Sequence, residues 1–127
     1  MDDKTILVVE NNALKMNLVR KLLTVGQYRM IEAPNAEKGV ELARLRQPDL
    51  ILMDLQQPGM DGLTAARLIR KESGIGGIPI LALSSQFVAD DEAKALEAGC
   101  NGYLTKPVNT RVFLETVARL LWPAEVD

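Results

Sequence analysis

Histidine is missing from this chain altogether, and cysteine occurs once, at Cys100. Without histidine, zinc sites and Ser-His-Asp constellations lose their commonest ligand and base, and the chain has no imidazole of its own from which to pass on a phosphoryl group. A single cysteine excludes an internal disulfide. Following Gly99, it reads as a small buried apolar residue rather than a reactive thiol. Long hydrophobic runs are also lacking: nothing approaches the ~20 apolar residues that span a bilayer. The opening MDDKTILVVE has neither the basic start nor the long apolar core of a secretory signal. Nor is there an excess of positive charge, since 15 Lys plus Arg stand against 17 Asp plus Glu for a net of -2. Such a surface offers no electrostatic footprint for nucleic acid or an anionic membrane. The expectation is a soluble, cytoplasmic protein that binds neither.

What is present is apolar content of 47% in 127 residues, enough for one real core and too little chain for a second. Residues 1–122 are read as one domain and 123–127 as a short tail, so any output must pass through a partner. Short apolar runs rich in β-formers alternate with longer amphipathic stretches. The strand candidates are 5–9, 28–31, 50–53, 78–83 and 102–104. A first helix shows Leu14, Leu18 and Leu22 with Val19 and Leu23 beside them, ending at Gly26 as a C-cap. A second begins after Asn35 as N-cap and turns Ala36, Val40 and Ala43 inward before Pro48. A third follows Gly62 with Leu63, Ala66 and Ile69 on one side. A fourth follows Phe87, has Asp90, Asp91 and Glu92 at its start, and ends at Gly99. A fifth starts near Asn109 or Thr110 and runs to Trp122, where Pro123 closes it. Runs 50–53 and 78–83 are continuously apolar, as in parallel strands covered on both faces. Five βα units in series imply a three-layer, doubly wound α/β sheet in the order 2-1-3-4-5.

In such sheets ligands bind beyond the carboxyl ends of the strands, where the strand order reverses. Those ends deliver Glu10, Asn11 and Asn12 from the first strand, Asp54 from the third, Ser84 and Ser85 from the fourth, and Thr105, Lys106 and Pro107 from the fifth. Taken singly, each reads as a solvated or capping residue. Together, two carboxylates, a hydroxyl and an ammonium group describe a site for moving a phosphoryl group. A carboxylate held rigidly at a strand end can attack phosphorus to give an acyl phosphate. Glu10 and Asp54 would repel an anionic donor, which calls for Mg²⁺ to neutralise them and align the attack. Lys106 and Ser84 would then hold two further phosphoryl oxygens. Pro58 and Gly59 fit a tight turn beside the site, Met60 reads as packing, and Gly62 as a point of flexibility or close backbone approach. The DDEAK run from Asp90 reads as a solvated helix start.

The segments ILVVENN, DLILMDLQQPGMDG, ILALSS and GYLTKP resemble the signatures of the receiver domain of bacterial response regulators, across essentially the whole chain. The resemblance implies a flavodoxin-like (βα)5 fold and a signalling role rather than an enzyme's turnover of substrate. It also implies a phosphorelay donor, a phosphohistidine on a sensor histidine kinase or histidine phosphotransfer protein, and a downstream effector protein. By position, Asp54 is similar to the phosphoacceptor, Ser84 to the family's Ser/Thr, Lys106 to its lysine and Tyr103 to its aromatic switch residue. Gln56 matches the position whose backbone carbonyl ligates the metal, and Gln56 and Gln86 match positions that tune acyl-phosphate lifetime. The Lys106–Pro107 bond is expected to be cis. On phosphorylation Ser84 and Tyr103 would reset the face made by the fourth helix, fifth strand and fifth helix.

One departure stands out. The family places two acids after the first strand, and the second of these, the direct metal ligand, is here Asn11. Side-chain charge at the site falls from -3 to -2, and Mg²⁺ binding is expected to weaken accordingly. Three rival readings follow. A pseudo-receiver would signal by binding alone, without phosphate, and Asn11 is its main support. A flavodoxin-like cofactor carrier would need a Ser/Thr/Gly phosphate loop and sandwiching aromatics, neither of which ENNALK supplies. An aspartate-nucleophile phosphatase would need an acid two residues after the nucleophile, where Gln56 stands.

Overall fold

The computed structural model describes residues 3–57, 59–84, 90–105 and 109–123. Five parallel strands, β1 (Thr5–Val9), β2 (Arg29–Ala33), β3 (Leu50–Asp54), β4 (Ile80–Ser84) and β5 (Gly102–Thr105), form one sheet in the order β2-β1-β3-β4-β5. They alternate with α1 (Ala13–Val25), α2 (Ala36–Arg46), α3 (Gly62–Lys71), α4 (Asp91–Glu97) and α5 (Thr110–Leu121). This is the doubly wound, three-layer flavodoxin-like fold read from the sequence. Among the described residues no helix is long and apolar enough to cross a membrane.

The two-residue period of the strands divides the core. Leu7, Val9, Ile51, Met53, Ile80 and Ala82 pack against α2, α3 and α4. Their neighbours Ile6, Val8, Leu50, Leu52, Leu81 and Leu83 pack against α1 and α5, around the fully buried Phe113. A strand buried on both faces has no polar side to show, which is why β3 and β4 are apolar up to their last residues, Asp54 and Ser84.

Several boundaries differ from the sequence reading, each for a local reason. β4 starts at Ile80 rather than Ile78, because the Ile78 N–H turns back to the Ile75 carbonyl and Pro79 has no N–H to give. The Arg70 guanidinium holds that turn, donating to the carbonyls of Ile78 at 2.6 Å, Gly76 at 3.1 Å and Gly99 at 2.8 Å. β2 runs from Arg29 to Ala33 instead of 28–31. Tyr28 donates its N–H to Leu23 at the end of α1, and the charged Glu32 belongs to the strand, where it meets Arg20 of α1. In α1 the expected leucine stripe is rotated: Leu14 and Leu18 are 81% and 49% exposed, while Met16, Val19, Leu22 and Leu23 face the sheet. Gly26 does cap α1 but lies in the right-handed region, so its need for glycine is spatial. A Cβ there would stand 2.7 Å from the Tyr28 ring.

Asn35 caps α2 as read, and Asn12, Asp61 and Asn109 do the same for α1, α3 and α5. Gly62, the first residue of α3, makes the close approach anticipated for it. An added Cβ would lie 2.5 Å from the backbone oxygen of Asp54 and 3.0 Å from side-chain atoms of Met53 and Leu55. Helix and strand can separate only by moving backbone. Gly62→Ala is expected to lower stability by about 1–3 kcal/mol, read as a shift of the urea midpoint at unchanged slope. An unshifted midpoint would show that the packing here is slack.

Candidate functional site

Four polar or charged residues are buried among the described residues, and three of them, Glu10, Asp54 and Ser84, meet at the carboxyl edge of the sheet. Register brings them there. Val9 pairs with Met53, so Glu10 follows β1 out beside Asp54, and Asp54 in turn pairs with Leu83, one residue before Ser84. Their exposures are 3%, 1% and 0%. Burying two carboxylates on adjacent strands is costly unless something compensates for their charge, which makes this edge the candidate site. The fourth buried polar residue, Thr116, only returns its hydroxyl to the Val112 carbonyl one turn back in α5.

Glu10 and Asp54 are held alike. Glu10 Oε2 accepts the Asn12 N–H and Asp54 Oδ1 accepts the Gln56 N–H, each at 3.2 Å, so both carboxylates fold back onto the loop leaving their strand. The Gln57 side-chain amide donates to the Asp54 carbonyl at 2.6 Å and fixes the same turn. Ser84 lies in phase with Ile80 and Ala82, on the sheet face covered by α3 and α4. Its hydroxyl is 3.2 Å from Gln56 Oε1 and 3.5 Å from Asp91 Oδ2. Asp91 had been read as part of a solvated helix start. Nothing in the DDEAK run signals its contact with Ser84.

The other candidates are placed as follows. Asn11 is exposed directly after Glu10, Gln56 is half-buried, and Tyr103 is half-buried in β5 opposite Ala82, packed on the α2–α4 side of the core. Asn12 caps α1 with its side chain and contributes its N–H to Glu10. Lys106, Pro107 and the bond between them, together with Ser85, Gln86 and Phe87, lie outside the described residues. Thr105, which precedes Lys106, pairs with Ser84. Cys100 is buried, and burial pushes its thiol up to about 11, so it is neutral at physiological pH and plays no part here.

A cavity of about 500 Å³ opens beside Glu10, lined by Asn11, Asn12, Met16, Arg20 and Glu32 among others. Arg20 and Glu32 close one wall through a two-pronged pair at 2.7 Å, and this hydrogen bonding holds the Glu32 carboxyl below its ordinary range. Glu10, Asp54, the Asn11 amide and the Gln56 carbonyl carry oxygen donors of the kind that could hold a hard divalent cation such as Mg²⁺. The set is a lean one, for among the described residues no group of three or more His, Cys, Asp or Glu comes together.

Comparison with known proteins agrees with this geometry. The response regulator receiver domain model matches residues 6–118. The polar-differentiation response regulator DivK of Brucella anthropi is 34% identical over 121 residues, covering 95% of this chain and 98% of the relative. The receiver domain of a sensor histidine kinase from Pseudomonas aeruginosa, solved with a magnesium ion coordinated in its active-site cleft, superposes with a TM-score of 0.87 at 30% identity. It covers 94% of this chain and 98% of that one. A two-component response regulator of the LuxR family from Aurantimonas gives a TM-score of 0.87 at 29% identity, over 94% of this chain and 86% of its own. The chain belongs to the response regulator receiver domain family of two-component signalling.

Proposed function

We propose that this receiver domain takes a phosphoryl group onto Asp54 from a phosphohistidine of a sensor histidine kinase or histidine phosphotransfer protein, in the cytoplasm. Phosphorylation would then alter what an effector protein meets on the face made by α4, β5 and α5. The observation that carries the reading is the burial of Glu10, Asp54 and Ser84 side by side at one sheet edge.

In the transfer, an Asp54 carboxylate oxygen attacks phosphorus and forms the new O–P bond. The donor's N–P bond breaks, and its electron pair returns to the imidazole. Glu10, Asp54, the Asn11 amide and the Gln56 backbone carbonyl would hold Mg²⁺. When bound, that ion supplies positive charge against the carboxylates and the phosphoryl oxygens. Ser84 offers a hydroxyl donor to one phosphoryl oxygen, and Lys106, next in the chain after Thr105, an ammonium to another. Gln56 and Gln86 would orient water near the acyl phosphate and set its lifetime. Tyr103, on the same sheet face as Ser84, would move as Ser84 moves. A free-energy coupling of ~1–3 kcal/mol between site and docking face suffices for such a switch.

The test is incubation with acetyl phosphate with and without Mg²⁺, followed by intact mass. One added phosphoryl group per chain is expected, only when the metal is present. A second reading, a pseudo-receiver that signals by binding alone, draws on the amide at Asn11, and the absence of uptake at any Mg²⁺ concentration would favour it.

A further inference from the structure

The Ser84 hydroxyl carries one proton, and its acceptors among the described residues include Gln56 Oε1 at 3.2 Å and Asp91 Oδ2 at 3.5 Å. Asp91 is the first residue of α4, a helix pinned to the sheet by the buried Ala95 and by Ala98 just beyond its end. The parity of β4 aims Ser84 at this helix, since Ile80 and Ala82 in phase with it pack on the α3 and α4 side. A phosphoryl oxygen on Asp54, one strand away, would need the same proton.

We propose that Asp91 is a positioning residue that holds the Ser84 hydroxyl toward α4 before phosphorylation. Uptake of the phosphoryl group would transfer that hydrogen bond to a phosphoryl oxygen and so free the first turn of α4. The inference rests on the phosphoacceptor reading of Asp54 and adds to it a direct link from the hydroxyl to the helix, separate from any movement of Tyr103. The link exists because a hydroxyl can give its proton fully to one acceptor at a time, and a carboxylate is the stronger competitor.

The experiment compares initial rates of phosphorylation by acetyl phosphate at saturating Mg²⁺, by intact mass, for the native chain, Asp91→Ala, Asp91→Asn, Ser84→Ala and the double variant Ser84→Ala with Asp91→Ala. Asp91→Ala is expected to react faster by about three- to tenfold, the size of one weak hydrogen bond to a charged group. Asp91→Asn removes the charge but keeps a weaker acceptor, and its rate should fall between those of the native chain and Asp91→Ala. In the Ser84→Ala background the Asp91→Ala acceleration should vanish. An Asp91→Ala rate equal to the native one overturns the inference. So does an equal acceleration in Asp91→Asn, which would make the effect one of charge on the anionic donor, or an acceleration that persists without the Ser84 hydroxyl. Failure of the native chain to take up any phosphoryl group overturns the Asp54 reading itself, a result distinct from all of these.

Discussion

Asp54→Asn should take up no phosphoryl group from acetyl phosphate or from a phosphohistidine donor, a fall in rate on the order of 10⁴-fold or more, as follows removal of a nucleophile. The amide is nearly the shape of the carboxylate. Its oxygen can still accept the Gln56 N–H that Asp54 Oδ1 accepts at 3.2 Å, and the Asp54 carbonyl that receives the Gln57 amide is untouched. What disappears is the carboxylate oxygen proposed to attack phosphorus. The substitution also removes one of two buried carboxylates on adjacent strands, easing their mutual repulsion. A folded Asp54→Asn chain that still gained a phosphoryl group would place the acceptor elsewhere, and the reading built on this strand end would fall.

The sheet order and the meeting of Glu10, Asp54 and Ser84 at one edge are legible in the sequence because they depend on patterns that tertiary structure seldom overrides. These are the continuous apolar runs of β3 and β4 and the polar residues that break them at one end. Glu10, Asp54 and Ser84 could be placed together by counting along strands, with no knowledge of side-chain geometry. The outward face of α1 was misread for a physical reason. Leu14 and Leu18 fit a helical stripe with the buried Leu22 as well as Met16 and Val19 do, and only the angle at which α1 crosses the sheet decides between them. The start of β4 was hidden because Arg70, 8 residues before Ile78, takes that residue's carbonyl. The link from Asp91 to Ser84 spans 7 residues of sequence with no periodic signal. Contacts made by long or loop-borne side chains are set by the fold and cannot be read from spacing.

Replacing Asn11 by aspartate is the change expected to alter the metal site most, with Mg²⁺ affinity rising by at least about tenfold and by as much as ~100-fold in titration calorimetry. Asn11 follows the buried Glu10 and is itself exposed, so a carboxylate can be added there without burying a new charge. An amide oxygen donates to a cation as a dipole. Aspartate would restore formal charge to a set that now holds only Glu10 and Asp54 as acids, and hard divalent cations respond chiefly to that charge. The same substitution brings a third negative group to the edge, so without metal the variant should melt lower than the native chain. Its gain in melting temperature on adding Mg²⁺ should be larger, because stabilisation grows with ligand concentration relative to Kd. Equal calorimetric affinities would mean that Asn11 lies outside the coordination sphere. If the native chain gains no phosphoryl group at any Mg²⁺ concentration but Asn11→Asp does, the natural chain is a pseudo-receiver whose phosphorylation chemistry was silenced by one amide, with Glu10, Asp54 and Ser84 still in place.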